Sequence, residues 1–161
     1  MSYLKTSVGI FIALAVSRFI PHPPNFTSLI ALAFYVPVIF GVRFIPALIL
    51  SFILTDFFIG FHSTIVFTWG SLIIIGYITK YFLSNMITRI SGSLFGALLF
   101  YIITNFGVWT TGVYGFEFSG LVASYTLAIP FFTYTIISTL IFSSVIEFFI
   151  YLKNYLLIKF R

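Results

Sequence analysis

Long apolar runs separated by short polar breaks mark the chain from end to end. Six can be drawn: Thr6–Ile20, Phe26–Phe40, Phe44–Gly60, Thr64–Phe82, Gly92–Phe106 and Pro130–Leu152. Stretches such as "SLIIIGYI" and "SLFGALLFYII" are continuous rather than alternating. That predicts helices, since lipid tolerates only helices and closed barrels, and barrel strands alternate. Several runs fall short of the ~20 residues an untilted span needs, which implies local thinning, kinks or re-entrant pieces. Pro37 and Pro46 are placed to bend or start helices. Pro130 fits the first turn of the last helix, where its missing N–H costs little. The expectation is one all-α domain over residues 1–161, a polytopic membrane protein of six spans. The apolar character is not confined to an N-terminal run, so no removable signal peptide is expected.

Composition supports the membrane reading. The 161 residues are 61% hydrophobic and only 7% charged, with a mean hydropathy of +1.18. A soluble chain of this size carries about 25% charged residues, and its core is too small to hide so much apolar surface. The chain has no cysteine, which excludes disulfides, thiolate metal sites and thiol nucleophiles. The net charge of +5 fits cytoplasmic loops facing anionic lipid better than it fits nucleic acid.

Charge placement then orients the chain. With six spans and the N-terminus in the cytosol, Lys5, Arg43, Lys80, Arg89, Lys153, Lys159 and Arg161 fall inside, seven of the eight basic residues. Only Arg18 falls outside, so N-in/C-in is expected. The same topology gathers Arg18, His22, Asn25, Asp56, His62, Asn105 and Glu117 at the outer face, together with Trp69 and Trp109. The connection from Gly107 to Ile129 is the longest on that side and carries Tyr114, Glu117 and Tyr125. A long connection of this kind often serves as a lid or binding loop.

Four constellations carry candidate chemistry. In "SRFIPHPPNF", Pro21, Pro23 and Pro24 stop the first helix and set His22 on a stiff, polyproline-like bend. Asn25 or Thr27 is placed to cap the next helix. The stretch reads as a ligand-orienting bend or as a rigid interfacial turn with Arg18 reaching the headgroups. In "TDFFIGFH", Asp56 is costly inside a span unless paired, and Arg18 is the basic residue available on its side. Gly60 offers a stop, and His62 follows. The pair is either architectural or the charged rim of a site. In "TNFGVW", a continuing helix puts Asn105 and Trp109 on one face, as a ligand platform or, with Trp69, as an interfacial belt. Gly9, Ala13 and Ser17 recur every four residues in the first run, and Gly92 and Gly96 form GxxxG in the fifth. Both patterns permit close helix approach, within the bundle or, for the first run, against a partner. Glu147, inside the last run, needs protein, water or the cytoplasmic interface around it. A structural hydrogen bond or a proton relay would each satisfy it.

The chain has no HExxH, GxSxG, Walker loop or paired aspartates. The two histidines with Asp56 or Glu117 match no metal-ligand spacing. A non-enzyme without cofactor, metal or nucleic-acid partner is expected.

The blocks "SRFIPHPPNFTSLIALAF", "TDFFIGFHST", "TNFGVWTTG" and "SGLVASYTLAIPFF" resemble those of a family of small bacterial membrane proteins without assigned function. That family in turn resembles the substrate-binding S components of energy-coupling factor (ECF) vitamin transporters. The resemblance implies a multi-pass protein of the bacterial cytoplasmic (inner) membrane that binds a vitamin or related micronutrient from outside. Its substrate-binding residues would be Arg18, His22, Asn25, Asp56, His62, Trp69, Asn105, Trp109, Glu117 and Tyr125. It also implies docking of a coupling subunit, with its ATPases, on Gly9, Ala13 and Ser17 of the first helix. The segment Thr133–Leu140 departs from the family by lacking Asn and Asp, which argues against a ligand contact from the last helix. The alternative function is a non-transport structural or assembly subunit of a larger membrane complex.

Overall fold

A computed structural model describes residues 2–159. Among them the chain is all helical, and Arg161, assigned above to the inner side, lies outside the described residues. Seven α-helices follow in order: α1 (Tyr3–Phe19), α2 (Leu29–Phe40), α3 (Ile45–Ile59), α4 (Ile65–Ile78), α5 (Met86–Thr110), α6 (Phe118–Thr126) and α7 (Ile129–Lys159). Single 3-10 turns, Val42–Phe44 and Thr79–Tyr81, precede α3 and extend α4. Three stretches are long and apolar enough to cross a membrane: Val42–Ile59, Met86–Thr110 and Ile129–Lys159. Leu29–Phe40 and Ile65–Tyr81 are shorter apolar helices. The outward surface of the bundle is largely apolar, with Ile12, Leu50, Phe57, Phe58, Val66 and Ile87 all exposed. A surface of that kind marks contact with lipid or another apolar partner.

Local chemistry explains most of the boundaries. Ser2 caps α1, its hydroxyl accepting from the Lys5 N–H, and α1 stops at Phe19, just ahead of Pro21. Pro46 occupies the first turn of α3. Gly60 ends that helix at φ +114°, a conformation side chains disfavour, and its N–H donates to the Asp56 carbonyl. Asn85 caps α5 by accepting from the Thr88 N–H, so α5 begins ahead of the Gly92 start expected from hydropathy and includes Arg89. It also runs through Gly107 to Thr110. The connection between α5 and α7 is accordingly shorter than expected and holds the nine-residue α6. Ser28 holds the N-cap position of α2 without a side-chain cap bond, and the Thr27 hydroxyl accepts from the Leu29 N–H at 3.4 Å. Asn25 instead turns the chain at φ +63°.

The helices alternate in direction. Arg18, Ile59 and Asn105, near the ends of α1, α3 and α5, meet Leu29, Thr68 and Phe131, near the starts of α2, α4 and α7, around one cavity. At the opposite end the Tyr3 ring stacks on Phe44 at 4.6 Å. There too Arg89, near the start of α5, meets Glu147, well along α7. The apolar core lies among α1 to α4, where Leu14, Phe34, Leu48, Leu72 and Ile75 are completely enclosed. Helix α2 is its axis, with eight of twelve residues buried. The GxxxG pair packs inside the bundle. A Cβ on Gly92 would fall 2.6 Å from Phe82 and 2.7 Å from Phe34, and one on Gly96 would fall 3.1 Å from Ile75. Both glycines thus let α5 close onto its neighbours.

Candidate functional site

The cavity at the Arg18 end has a volume of about 440 Å³. The loop after α1 supplies His22, Asn25 and Thr27, and the loop after α3 supplies His62. Thr64 and Thr68 come from the start of α4; Tyr101, Thr104, Asn105 and Val108 from α5; Phe131, Phe132 and Thr135 from α7. Phe52 and Phe100 complete the apolar wall. The wall is rich in hydroxyls and aromatic rings, and no carboxylate stands on it among the described residues.

Arg18 is held from behind. Its Nη2 lies 2.7 Å from Asp56 Oδ1, a close ion pair rather than an aligned hydrogen bond. Nη1 donates to Thr55 Oγ1, and the guanidinium carbon sits 4.3 Å from the centroid of the Phe52 ring. Asp56 is 1% exposed, and its second oxygen accepts from Trp69 Nε1 at 3.0 Å. A carboxylate this deep is stable only because a cation and a ring N–H both reach it. The result is an arginine fixed in place and facing the cavity, with its charge balanced out of ligand reach.

The other polar groups are positioned one by one. His22 Nδ1 donates to the Pro23 carbonyl at 2.7 Å, which leaves Nε2 free. His62 Nδ1 lies 3.2 Å from Thr64 Oγ1. Asn105 Nδ2 donates to the Tyr101 carbonyl one turn back, at 2.8 Å, so its carbonyl oxygen remains an acceptor. The Tyr101 ring lies 4.4 Å from Phe132, and its O–H donates to the Tyr125 carbonyl at 2.7 Å.

Of the ten expected binding residues, the structure brings Arg18, His22, Asn25, His62 and Asn105 onto the cavity wall. Asp56 and Trp69 stand one layer behind, orienting Arg18. Three do not line the cavity. Val108 rather than Trp109 continues the α5 wall; the Trp109 ring packs beside Phe106 at 5.4 Å, with its Nε1 buried and unpartnered. Tyr125 turns away to donate to the Ile102 carbonyl at 2.8 Å and supports Tyr101 from outside. Glu117 is exposed at the start of α6. Neither tryptophan is on the cavity wall; the phenylalanine rings that line it are Phe52, Phe100, Phe131 and Phe132. Contrary to expectation, the last helix does contribute, through Phe131, Phe132 and Thr135. The threonines were missed because a threonine on a helix announces nothing until the helix's rotation is known. On α1, Ser17 is engaged with Ser28, Oγ to Oγ at 2.7 Å. Gly9 and Ala13 line a smaller hollow of about 220 Å³ beside Leu32, Val36 and Ile146.

The fold and this cavity define an all-helical protein with membrane-length apolar helices and a polar pocket open at one bundle end. The chain belongs to a family of unknown function (DUF6580), which matches residues 2–156. No curated protein and no solved structure matches the chain.

Proposed function

We propose that the protein binds a small micronutrient, a vitamin or related ring compound, at the outer face of the bacterial cytoplasmic membrane for uptake, in the manner of an ECF S component. In this reading α1 to α5 and α7 span the bilayer and both termini are cytosolic. The charge distribution supports that orientation: Lys5, Arg43, Lys80 and Arg89 lie at or toward the end opposite the cavity, whereas among the described arginines and lysines Arg18 alone stands on the cavity wall.

The observation that carries the reading is the cavity itself. Its volume falls in the range of small-molecule sites, and its lining combines aromatic surface with a few fixed polar groups, as such sites do. Its chemistry narrows the ligand. With Asp56 spent on Arg18 and no carboxylate facing inward, a cationic ligand has no counter-ion. A neutral or anionic ring compound fits: Phe100 and Phe132 flank the ring, and Arg18, His22 and Asn105 meet its polar edge.

The test is calorimetric titration and thermal shift of the purified protein against a panel of vitamins and nucleobases. We expect micromolar binding of a neutral or anionic member, weakened tenfold or more in Arg18→Ala, about the effect of losing one charged hydrogen bond. Absence of binding across the panel overturns the reading. The assembly-subunit alternative draws on the open hollow at Gly9 and Ala13, where a Cβ on Gly9 would meet nothing within 4 Å. The same hollow suits the coupling subunit expected on α1. Co-purification with non-transport partners at fixed stoichiometry, with Arg18→Ala functionally silent, would favour the alternative.

A further inference from the structure

The buried face of α7 is polar along its length. Thr135, Thr139, Ser143 and Glu147 recur every four residues, at 4%, 0%, 0% and 3% exposure, and with Ser138 they are the only buried positions of that helix among the described residues. The column begins in the cavity, where Thr135 is part of the wall. It ends at Glu147, gripped by Arg89 through two hydrogen bonds of 2.7 Å and by the Tyr35 O–H at 2.8 Å. Across from it, α5 presents Ser93, whose hydroxyl meets that of Ser143 at 3.0 Å, while its Gly92 and Gly96 face Phe34, Phe82 and Ile75 on other elements.

Ordinary helix packing accounts for small and hydroxylated residues at such an interface. It does not account for Thr139. That residue is fully enclosed, midway along the column, and its hydroxyl has no hydrogen-bond partner. A buried donor without a partner is costly and asks for an explanation; Thr139 shares that state with Trp109 Nε1, but Thr139 alone of the two stands in the column. A state in which the column is wet or touches a passing solute supplies the partner.

We propose that the α5–α7 seam is the route by which a solute leaves the cavity toward the opposite end, and that the Arg89–Glu147–Tyr35 cluster is the latch that holds the seam shut. The proposal rests on the cavity being a binding site. In the latched state the seam is closed by side-chain contact. When α7 swings away from α5, Thr135, Thr139, Ser143 and Ser93 present their hydroxyls to the gap and replace water around a polar solute. The apolar core among α1 to α4 keeps its packing and serves as the frame.

Because the chain has no cysteine, each introduced thiol is the only one. The experiment uses the full chain in proteoliposomes and an anionic, membrane-impermeant methanethiosulfonate. Thr135→Cys, Thr139→Cys and Ser143→Cys are compared with Ser71→Cys on α4, a position equally buried but outside the seam. Each is combined with Glu147→Gln or with the milder Tyr35→Phe, which removes one hydrogen bond and no charge. We expect Thr135→Cys to react whether or not the latch is intact. Thr139→Cys and Ser143→Cys should react about tenfold faster or more once it is weakened, as a shift toward the open state requires, while Ser71→Cys stays silent. No gain at either seam position in both latch variants overturns the proposal, as does an equal gain at Ser71→Cys. An unreactive Thr135→Cys would instead sink the cavity reading, so the two failures are distinct.

Discussion

Two arginine–carboxylate pairs stand at opposite ends of the bundle, and their likeness makes their difference informative. Each closes at 2.7 Å between two helices, and each has a deeply buried carboxylate and a mostly buried arginine. Each carboxylate also takes a further donor from an aromatic side chain on another helix, Trp69 on α4 for Asp56 and Tyr35 on α2 for Glu147. The surroundings differ. Arg18 makes a one-point contact with Asp56 and forms part of the cavity wall, so water or a ligand can reach it. Arg89 is clasped at two points by a carboxylate that also takes the Tyr35 hydroxyl, and it lines neither cavity described above. One pair presents an arginine; the other closes a seam. The same residue types serve both ends because a membrane interior makes any lone charge expensive and leaves geometry to set its use.

The largest expected effect comes from breaking the closed pair. Glu147→Ala strips Arg89 of its side-chain partners and leaves the Tyr35 hydroxyl, itself 1% exposed, without an acceptor. Removing one member of a buried pair costs about 3–5 kcal/mol. Asp56→Ala should cost less, about 2 kcal/mol, since Arg18 keeps Thr55 and gains cavity water. Thermal unfolding of both variants in one detergent checks the order. Equal losses would remove the distinction between a presenting pair and a sealing pair. The comparison sharpens with the double replacement Arg89→Met and Glu147→Leu. A hydrophobic isostere of a buried pair is close to neutral in stability, so the double variant should recover most of the loss. With the latch removed, the double variant should still label at Ser143→Cys.

How far the sequence exposed these two pairs follows from how each is built. Arg18–Asp56 was legible because charge sorting left a single basic residue and an intramembrane carboxylate on one side, so the partners chose themselves. Arg89–Glu147 was not. Hydropathy alone begins the fifth run at Gly92 and leaves Arg89 in a loop; Asn85, a cap residue ahead of it, is the signal that the helix begins earlier. An intramembrane Glu147 demands some partner, but nothing local names a residue 58 positions away. The helical class and most helix ends followed from prolines, glycines and continuous hydropathy. The short α6 did not, because its nine residues lack the length that marks a span. Half of the expected binding residues reach the cavity. Trp69, Trp109 and Tyr125 miss it for one reason: residue type and level in the bilayer were known, but helix rotation was not.

The smallest effects test the aromatic donors. Trp69→Phe and Tyr35→Phe each remove one hydrogen bond to a buried carboxylate and keep the ring, so each should cost about 1.5–2 kcal/mol. Their consequences should nevertheless separate. Trp69 fixes the second oxygen of Asp56, and without it the carboxylate can rotate about its ion pair and carry Arg18 with it. Ligand affinity should therefore fall several-fold in Trp69→Phe although that side chain never touches the cavity. Tyr35 acts on Glu147, the full distance of the seam from the pocket, so Tyr35→Phe should leave equilibrium binding unchanged while raising thiol reactivity at Ser143→Cys. Titration of both variants with whichever ring compound the panel identifies decides it. A matching fall in affinity would mean that the two ends are one coupled unit, and the division between a presenting end and a sealing end would have to be given up.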